Sequence, residues 1–283
     1  MSSFRERVDL AVNFTNLERI EAIESHVQRI ELYRHNNLGK ILVINKEVQH
    51  VERWSSLYHE ALVHIPSAFI REVRNVLILG GGSLFAASQA LLYPTVRRCT
   101  LIDHDPAVLD LMARHYGHAR AVMNDARFTH VNDDALEYLI RSEEKYDLVI
   151  NDCFDVLAEF RRSSASPFKL MMDHVSPQGA CADVIYRHIF EERHREETLT
   201  ELSHLGSYAL SLIAVPEYPG VLHLLACWGG KHISQELRTT RNLVQRSWRR
   251  PGSNAALEYY NPQFLPHYLY LPPYLRREKA YAM

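Results

Sequence analysis

Acidic residues and glycines recur in this chain where strand-like runs end, and that is where chemistry is expected. In Asn75-Val-Leu-Ile-Leu-Gly-Gly-Gly-Ser83, the apolar run Val76 to Leu79 fits a buried parallel strand. Gly80, Gly81 and Gly82 then let the backbone turn sharply and approach a ligand closely, because no Cβ intervenes. A second apolar run, Cys99 to Ile102, ends in Asp103, an acid able to take the two hydroxyls of a ribose. Strand, glycine turn, helix, strand and acid make a nucleoside-binding half-fold. Phe85 stands where a dinucleotide fingerprint needs its third glycine. These residues alone leave the cofactor open, since a dinucleotide and an adenosyl sulfonium both use this geometry. Further strand ends carry Asp133-Asp134, and Asp152 with Asp155. Acids repeated in this way mark a functional cleft.

The elements that position these residues follow from periodicity. Strands are predicted at 76–79, 99–102, 127–131 and 147–151, with helices near 84–92, 106–115, 134–142 and 168–174. That alternation predicts an α/β fold: a parallel sheet with helices on both faces, binding ligands at the carboxyl ends of its strands where strand order reverses. A strand at Gly179 to Ile185 and a charged helix near 189–203 continue the pattern. Tyr208 to Val215 and Val221 to Trp228, split by Pro216-Glu-Tyr-Pro-Gly220, read as an antiparallel hairpin at the end of the sheet. Residues 1–20 lack a clear period. His26 to Tyr33, a turn at Asn36 to Gly39, and Lys40 to Ile44 predict a hairpin within a small N-terminal antiparallel sheet. A helix over Ser55 to Ala68 follows, in which Tyr58, His59 and Glu60 are candidates to face a site. The expected domains are therefore 1–54, a β-hairpin domain, and 55–283, the catalytic domain.

Composition narrows the function classes. A net charge of -2 argues against a generic nucleic-acid binder. The four cysteines have no CxxC spacing and read as buried reduced thiols of a cytoplasmic protein. No apolar run reaches membrane-spanning length, and the N-terminal residues lack the apolar core of a signal peptide. The 16 histidines are scattered without an HExxH pair, so no metal site is expected.

The ordered motifs resemble the spermidine synthase (polyamine aminopropyltransferase) family from about residue 30 onward. Gln49 to Glu52 followed by Tyr58-His59-Glu60, the glycine motif Gly80 to Phe85, and Asp103-His104-Asp105-Pro106 appear in the family's order. So do Asp134-Ala135, the D-x-x-D motif Asp152-Cys153-Phe154-Asp155, Val215-Pro216-Glu217-Tyr218-Pro219 and the tail from Tyr259-Tyr260-Asn261-Pro262. The resemblance implies a Rossmann-like domain binding decarboxylated S-adenosylmethionine or S-adenosylmethionine as co-substrate, a small-molecule amine or polyamine acceptor, and a homodimer or higher homo-oligomer. By it, Gly80, Gly82, Ser83, Gln49 and His59 surround the donor, Asp103 holds the ribose, and Asp134 with Ala135 reads the adenine. It also makes Asp152 the proton acceptor for the attacking amine, with Tyr58, Asp155 and Tyr218 positioning the acceptor.

Two departures qualify that expectation. Ser83 replaces the family's aspartate, which faces the donor's aminopropyl ammonium and would repel the carboxylate of intact S-adenosylmethionine; Phe85 replaces a small residue. The segment after Asp155, which carries Arg161 and Arg162, lacks the glycine and proline of the family's lid, and Glu217 stands at its threonine position. A methyltransferase or aminocarboxypropyl transferase acting on an amine is therefore an alternative. A non-catalytic homologue is a further one, disfavoured because the acceptor residues are mostly intact.

Overall fold

The computed structural model describes residues 12–153, 166–186, 192–218, 221–233, 256–272 and 275. The N-terminal part is a four-stranded antiparallel sheet in the order β1-β2-β3-β4: β1 Glu18–Glu24, β2 Arg29–His35, β3 Gly39–Ile44 and β4 Glu47–Val51. It extends the predicted hairpin by one strand on each side. The turn Asn45-Lys46 has φ of 50° and 70°, the left-handed pair whose twist matches a two-residue hairpin.

After β4, helix α1 (Ser55–Ser67) leads into a seven-stranded sheet in the order β10-β11-β9-β8-β5-β6-β7. Its strands are β5 Asn75–Gly80, β6 Arg98–Ile102, β7 Phe128–Val131, β8 Tyr146–Asp152, β9 Val175–Tyr186, β10 Ser207–Ala214 and β11 Leu222–Gly229. The five strands from β9 to β7 run parallel, and β10 and β11 form the antiparallel hairpin at one end. From β5 the chain steps outward to β6 and β7, then returns to the other side of β5 as β8. Strand order therefore reverses between β5 and β8, where Gly80 is in register with Asp152. Ligands of such sheets bind at that crevice.

Side-chain alternation divides the sheet's residues between two cores. Val76, Ile78, Leu148 and Ile150 face α1, α2 (Phe85–Leu91), α3 (Pro106–His115) and α4 (Gly117–Met123). Leu77, Leu79 and Val149 face the other core, with α5 (Ala135–Arg141), α6 (Pro167–Asp173) and α7 (Glu192–Leu205). Ile30, Leu32 and Leu42 of the small sheet join the first core beside Tyr58, Leu62 and Ile65 of α1. Helix α1 is thus covered nearly all round, and its buried polar side chains need partners. Ser55, His64 and Ser67 bond to Glu52 O, to Tyr93 and Gln89, and to Val63 O respectively. A second tie joins the two sheets: Asp105 caps α3 by accepting from Ala107 N at 3.1 Å, while its other oxygen accepts from Ser25 Oγ at 2.7 Å.

Candidate active site

The turn after β5 is built from left-handed residues: φ is 71° at Gly80, 79° at Gly81 and 63° at Leu84, and Leu84 N closes it on Gly81 O at 2.8 Å. Space as well as torsion requires the glycines. A Cβ on Gly80 would overlap the Cys153 side chain, one on Gly81 would stand 2.7 Å from Asp152 Oδ2, and one on Gly82 would stand 2.9 Å from Asp103 Oδ2. The glycine loop and the two acids are therefore one structure. Asp103 is fixed by accepting from Asp105 N at 2.9 Å through its other oxygen.

A cavity of ≈ 660 Å³ opens at this point. The small sheet supplies Gln28, Leu42, Asn45, Glu47 and Gln49; α1 supplies Tyr58 and His59; the large sheet supplies Gly80 to Ser83, Asp103, Asp133 to Ala135, Asp152, Val215, Glu217 and Tyr218. Six carboxylates (Glu47, Asp103, Asp133, Asp134, Asp152, Glu217) line it, and no Lys or Arg stands among the described lining residues. The field inside favours a cation.

Asp152 sits at the centre of that field. Its side chain is 7 % exposed, and Oδ2 is buried with no hydrogen-bond partner among the described residues. Burial pushes its carboxyl up to about 7; a hydrogen bond from Tyr58 opposes the rise, and the neighbouring charges of Asp103 and Asp183 add to it. Nε2 of His59 lies 4.0 Å from Oδ2. This is not an ion pair, because burial holds His59 down to about 4 and so neutral. Its Nδ1 donates to Ser55 O at 2.9 Å, which leaves Nε2 as an acceptor. Two acceptors thus face one gap, where an N–H donor would be received. That orphaned oxygen and the cradle of glycines fit a sulfonium nucleoside and an amine.

Tyr58 and Tyr218 are each 5 % exposed and give the cavity aromatic walls. Beyond Ser83, Phe85 stacks on His50 at 4.2 Å between ring centroids and lies against His118 at 3.6 Å. Phe85, the first residue of α2, thus packs against the small sheet through His50, and His118 fixes the turn by bonding to Ser83 O at 3.1 Å.

Of the residues singled out from sequence, Gln49, Tyr58, His59, Gly80, Gly82, Ser83, Asp103, Asp134, Ala135, Asp152 and Tyr218 all line this one cavity. Asp155, with Arg161 and Arg162, lies outside the described residues. Asp134 also has a structural role that the motif did not disclose: Oδ1 caps α5, accepting from Leu136 N at 2.8 Å and Glu137 N at 3.0 Å. Glu60 is neither solvated nor in the site; it is 2 % exposed and accepts the backbone N–H groups of Glu258, Tyr259 and Tyr260. Sequence reasoning passed over Gln28 and Glu47, which also line the cavity. Nothing in the local pattern marks either residue. Among the described residues no group of three or more His, Cys, Asp or Glu is arranged to hold a metal ion, and no helix is long and apolar enough to cross a membrane.

Known proteins share this fold. The spermidine synthase structure from Thermotoga maritima shares the fold, with a TM-score of 0.75 at 20% identity, covering 92% of this chain and 86% of that one. A polyamine aminopropyltransferase of Buchnera aphidicola subsp. Acyrthosiphon pisum (strain Tuc7) is 26% identical over 256 residues, 88% of this chain and 87% of the relative. Putrescine N-methyltransferase 2 of Nicotiana tabacum is 26% identical over 261 residues, 89% of this chain and 73% of the relative. The sequence model of the spermine/spermidine synthase domain matches residues 55–237, more than half of the chain. This protein therefore belongs to the spermine/spermidine synthase family, a family of transferases.

Proposed function

We propose that the protein moves an aminopropyl group from decarboxylated S-adenosylmethionine to a primary amine of a di- or polyamine. The observation that carries this reading is Asp152 Oδ2, a buried carboxylate oxygen without a hydrogen-bond partner among the described residues, in a cavity whose described lining holds six acids and no Lys or Arg. An ammonium has no lone pair, so it must lose a proton before it can attack. Asp152, held at about 7 by its burial, is matched to accept that proton near neutral pH. His59 Nε2, neutral and 4.0 Å from Oδ2, offers a second acceptor that orients the nitrogen. The donor supplies an electrophilic carbon next to a positively charged sulfur; the new N–C bond forms as the C–S bond breaks, and the proton goes to Asp152. The backbone of Gly80 to Gly82 makes room for the nucleoside, Asp103 takes the ribose, and Asp134, beside Ala135, reads the adenine with the oxygen it does not use for capping. Gln49 lies along the donor. Tyr58 and Tyr218 flank the methylenes and exclude water, with cation–π attraction to the ammonium.

A second reading rests on Ser83. This neutral side chain lines the cavity where an aspartate is expected, so it removes one reason to reject the carboxylate of intact S-adenosylmethionine. The relative named putrescine N-methyltransferase points the same way. Incubation with each donor and putrescine, followed by identification of the nucleoside product, separates the two. Methylthioadenosine from the decarboxylated donor supports aminopropyl transfer. S-adenosylhomocysteine from the intact donor overturns it in favour of methyl transfer, and turnover of neither donor overturns both.

A further inference from the structure

Glu217 is a second orphaned carboxylate, and none of the steps above uses it. It belongs to the turn between β10 and β11, which is tightened by Tyr218 N donating to Val215 O at 3.1 Å and Val215 N donating to Val221 O at 2.7 Å. The residue is 6% exposed, lines the cavity beside Tyr218, and its Oε2 is buried with no hydrogen-bond partner among the described residues. It caps no described helix and pairs with no described Lys, Arg or His. A buried, unpaired carboxylate is costly unless it is protonated or meets a cation. Burial pushes this one up to about 7, with only its own backbone N–H favouring the ionised form. No described side chain of the protein supplies the missing positive charge, and a cationic ligand in the cavity would. A structural role would have closed the open oxygen with a hydrogen bond, as Glu60 does with three.

We propose that Glu217 determines acceptor specificity: its carboxylate receives the second ammonium of a diamine whose first nitrogen stands at Asp152. This rests on the amine-alkylation reading above. It assigns the acceptor to molecules carrying two positive charges, because an acceptor with one amine leaves Glu217 either protonated or unpaired. Tyr218, next in the chain, then lies beside the hydrocarbon between the two nitrogens.

The test is equilibrium binding of putrescine and of n-butylamine, which has the same carbon chain and one nitrogen, to the full chain by titration calorimetry. No donor or turnover is needed. Wild type should bind putrescine at least about ten-fold more tightly than n-butylamine, as a charge-assisted hydrogen bond requires. Glu217→Gln should weaken putrescine about ten- to hundred-fold, leave n-butylamine within about two-fold, and so abolish the preference. In turnover assays the KM for putrescine should rise by more than kcat falls. Equal binding of putrescine by wild type and Glu217→Gln, or equal loss for both amines, overturns the inference while the transfer reading stands. Wild type that binds neither amine overturns both. Should Glu217→Gln not fold, Glu217→Thr is the second variant, with the same outcomes read.

Discussion

Gly81 faces the Asp152 carboxylate across the β5–β8 pairing so closely that a single added methyl would stand 2.7 Å from Oδ2. A contact that short cannot be held, so either the carboxylate or the turn must move. Gly81 is also at φ 79°, where an L side chain is strained by roughly 1–2 kcal/mol. Gly81→Ala is therefore expected to displace Asp152 and lower kcat/KM by at least about a hundred-fold, as a misplaced reacting group does. Melting temperature should fall by only a few degrees. Measuring both decides the matter, because full activity in a folded Gly81→Ala protein would show that Asp152 is not held by this contact.

Asp152 gives a pH prediction of unusual sign. Its folded carboxyl titrates near 7, raised chiefly by burial from an ordinary 3.8. Between about pH 4 and 7 the folded state then binds more protons than the unfolded state, so stability falls as pH rises through that window. Above about 7 the whole penalty is present, on the order of a few kcal/mol. Asp152→Asn should raise the melting temperature at pH 8, with the gain vanishing by about pH 4, and should lower kcat at least about a hundred-fold. In wild type, kcat/KM should rise with pH along a limb near 7. Glu217 also titrates near 7 in the same cavity, so that limb belongs to the two groups together. A melting temperature that drops at pH 8 on Asp152→Asn would mean the carboxylate is paired rather than stranded.

The parallel sheet was legible because Val76 to Leu79 and its counterparts are short, apolar and regularly followed by helices. The acids were legible because they interrupt those runs. What the order of motifs could not disclose is how strand pairing joins them: Gly80 and Asp152, 72 positions apart, meet only because β8 returns beside β5. Strand β1 was missed for a different reason. It is an edge strand with no fully buried residue, so its Glu and Arg side chains erase the alternation that buried strands display. Glu60 shows the limit most plainly. Its tyrosine and histidine neighbours point to the cavity, and one more step around the helix sends it to the C-terminal tail instead.

That tail contact is itself testable. Glu60 Oε1 accepts from Glu258 N at 2.9 Å, and Oε2 accepts from Tyr259 N at 2.9 Å and Tyr260 N at 2.7 Å. Glu60→Gln keeps one oxygen and sets an NH2 group against backbone donors, leaving buried N–H groups without partners. A loss of about 2–4 kcal/mol is expected on chemical denaturation. Hydrogen exchange should quicken at the amides of residues 258–260 more than in the strands of the large sheet. Unchanged exchange there would remove Glu60 as the anchor of the tail.

Ser83 bears on the choice of donor. Positive charge around it is subdued: burial pushes His50 and His118 down, Phe85 packs against both rings, and Lys40, whose charge also lowers both histidines, is paired with Glu52 at 2.9 Å. A carboxylate introduced at this position would therefore act mainly on whatever part of the donor lies beside it. An intact S-adenosylmethionine tail has a carboxylate to repel; the decarboxylated tail has only its ammonium. At a close, partly desolvated contact the difference is worth on the order of 1–3 kcal/mol. Ser83→Asp should thus shift the ratio of affinities toward the decarboxylated donor by about ten-fold or more, read by competitive binding of the two compounds. Asn at the same position, similar in shape but uncharged, should leave the ratio near that of wild type. If Ser83→Asp and Ser83→Asn move the ratio equally, size rather than charge governs the position, and the argument that Ser83 admits the intact donor fails.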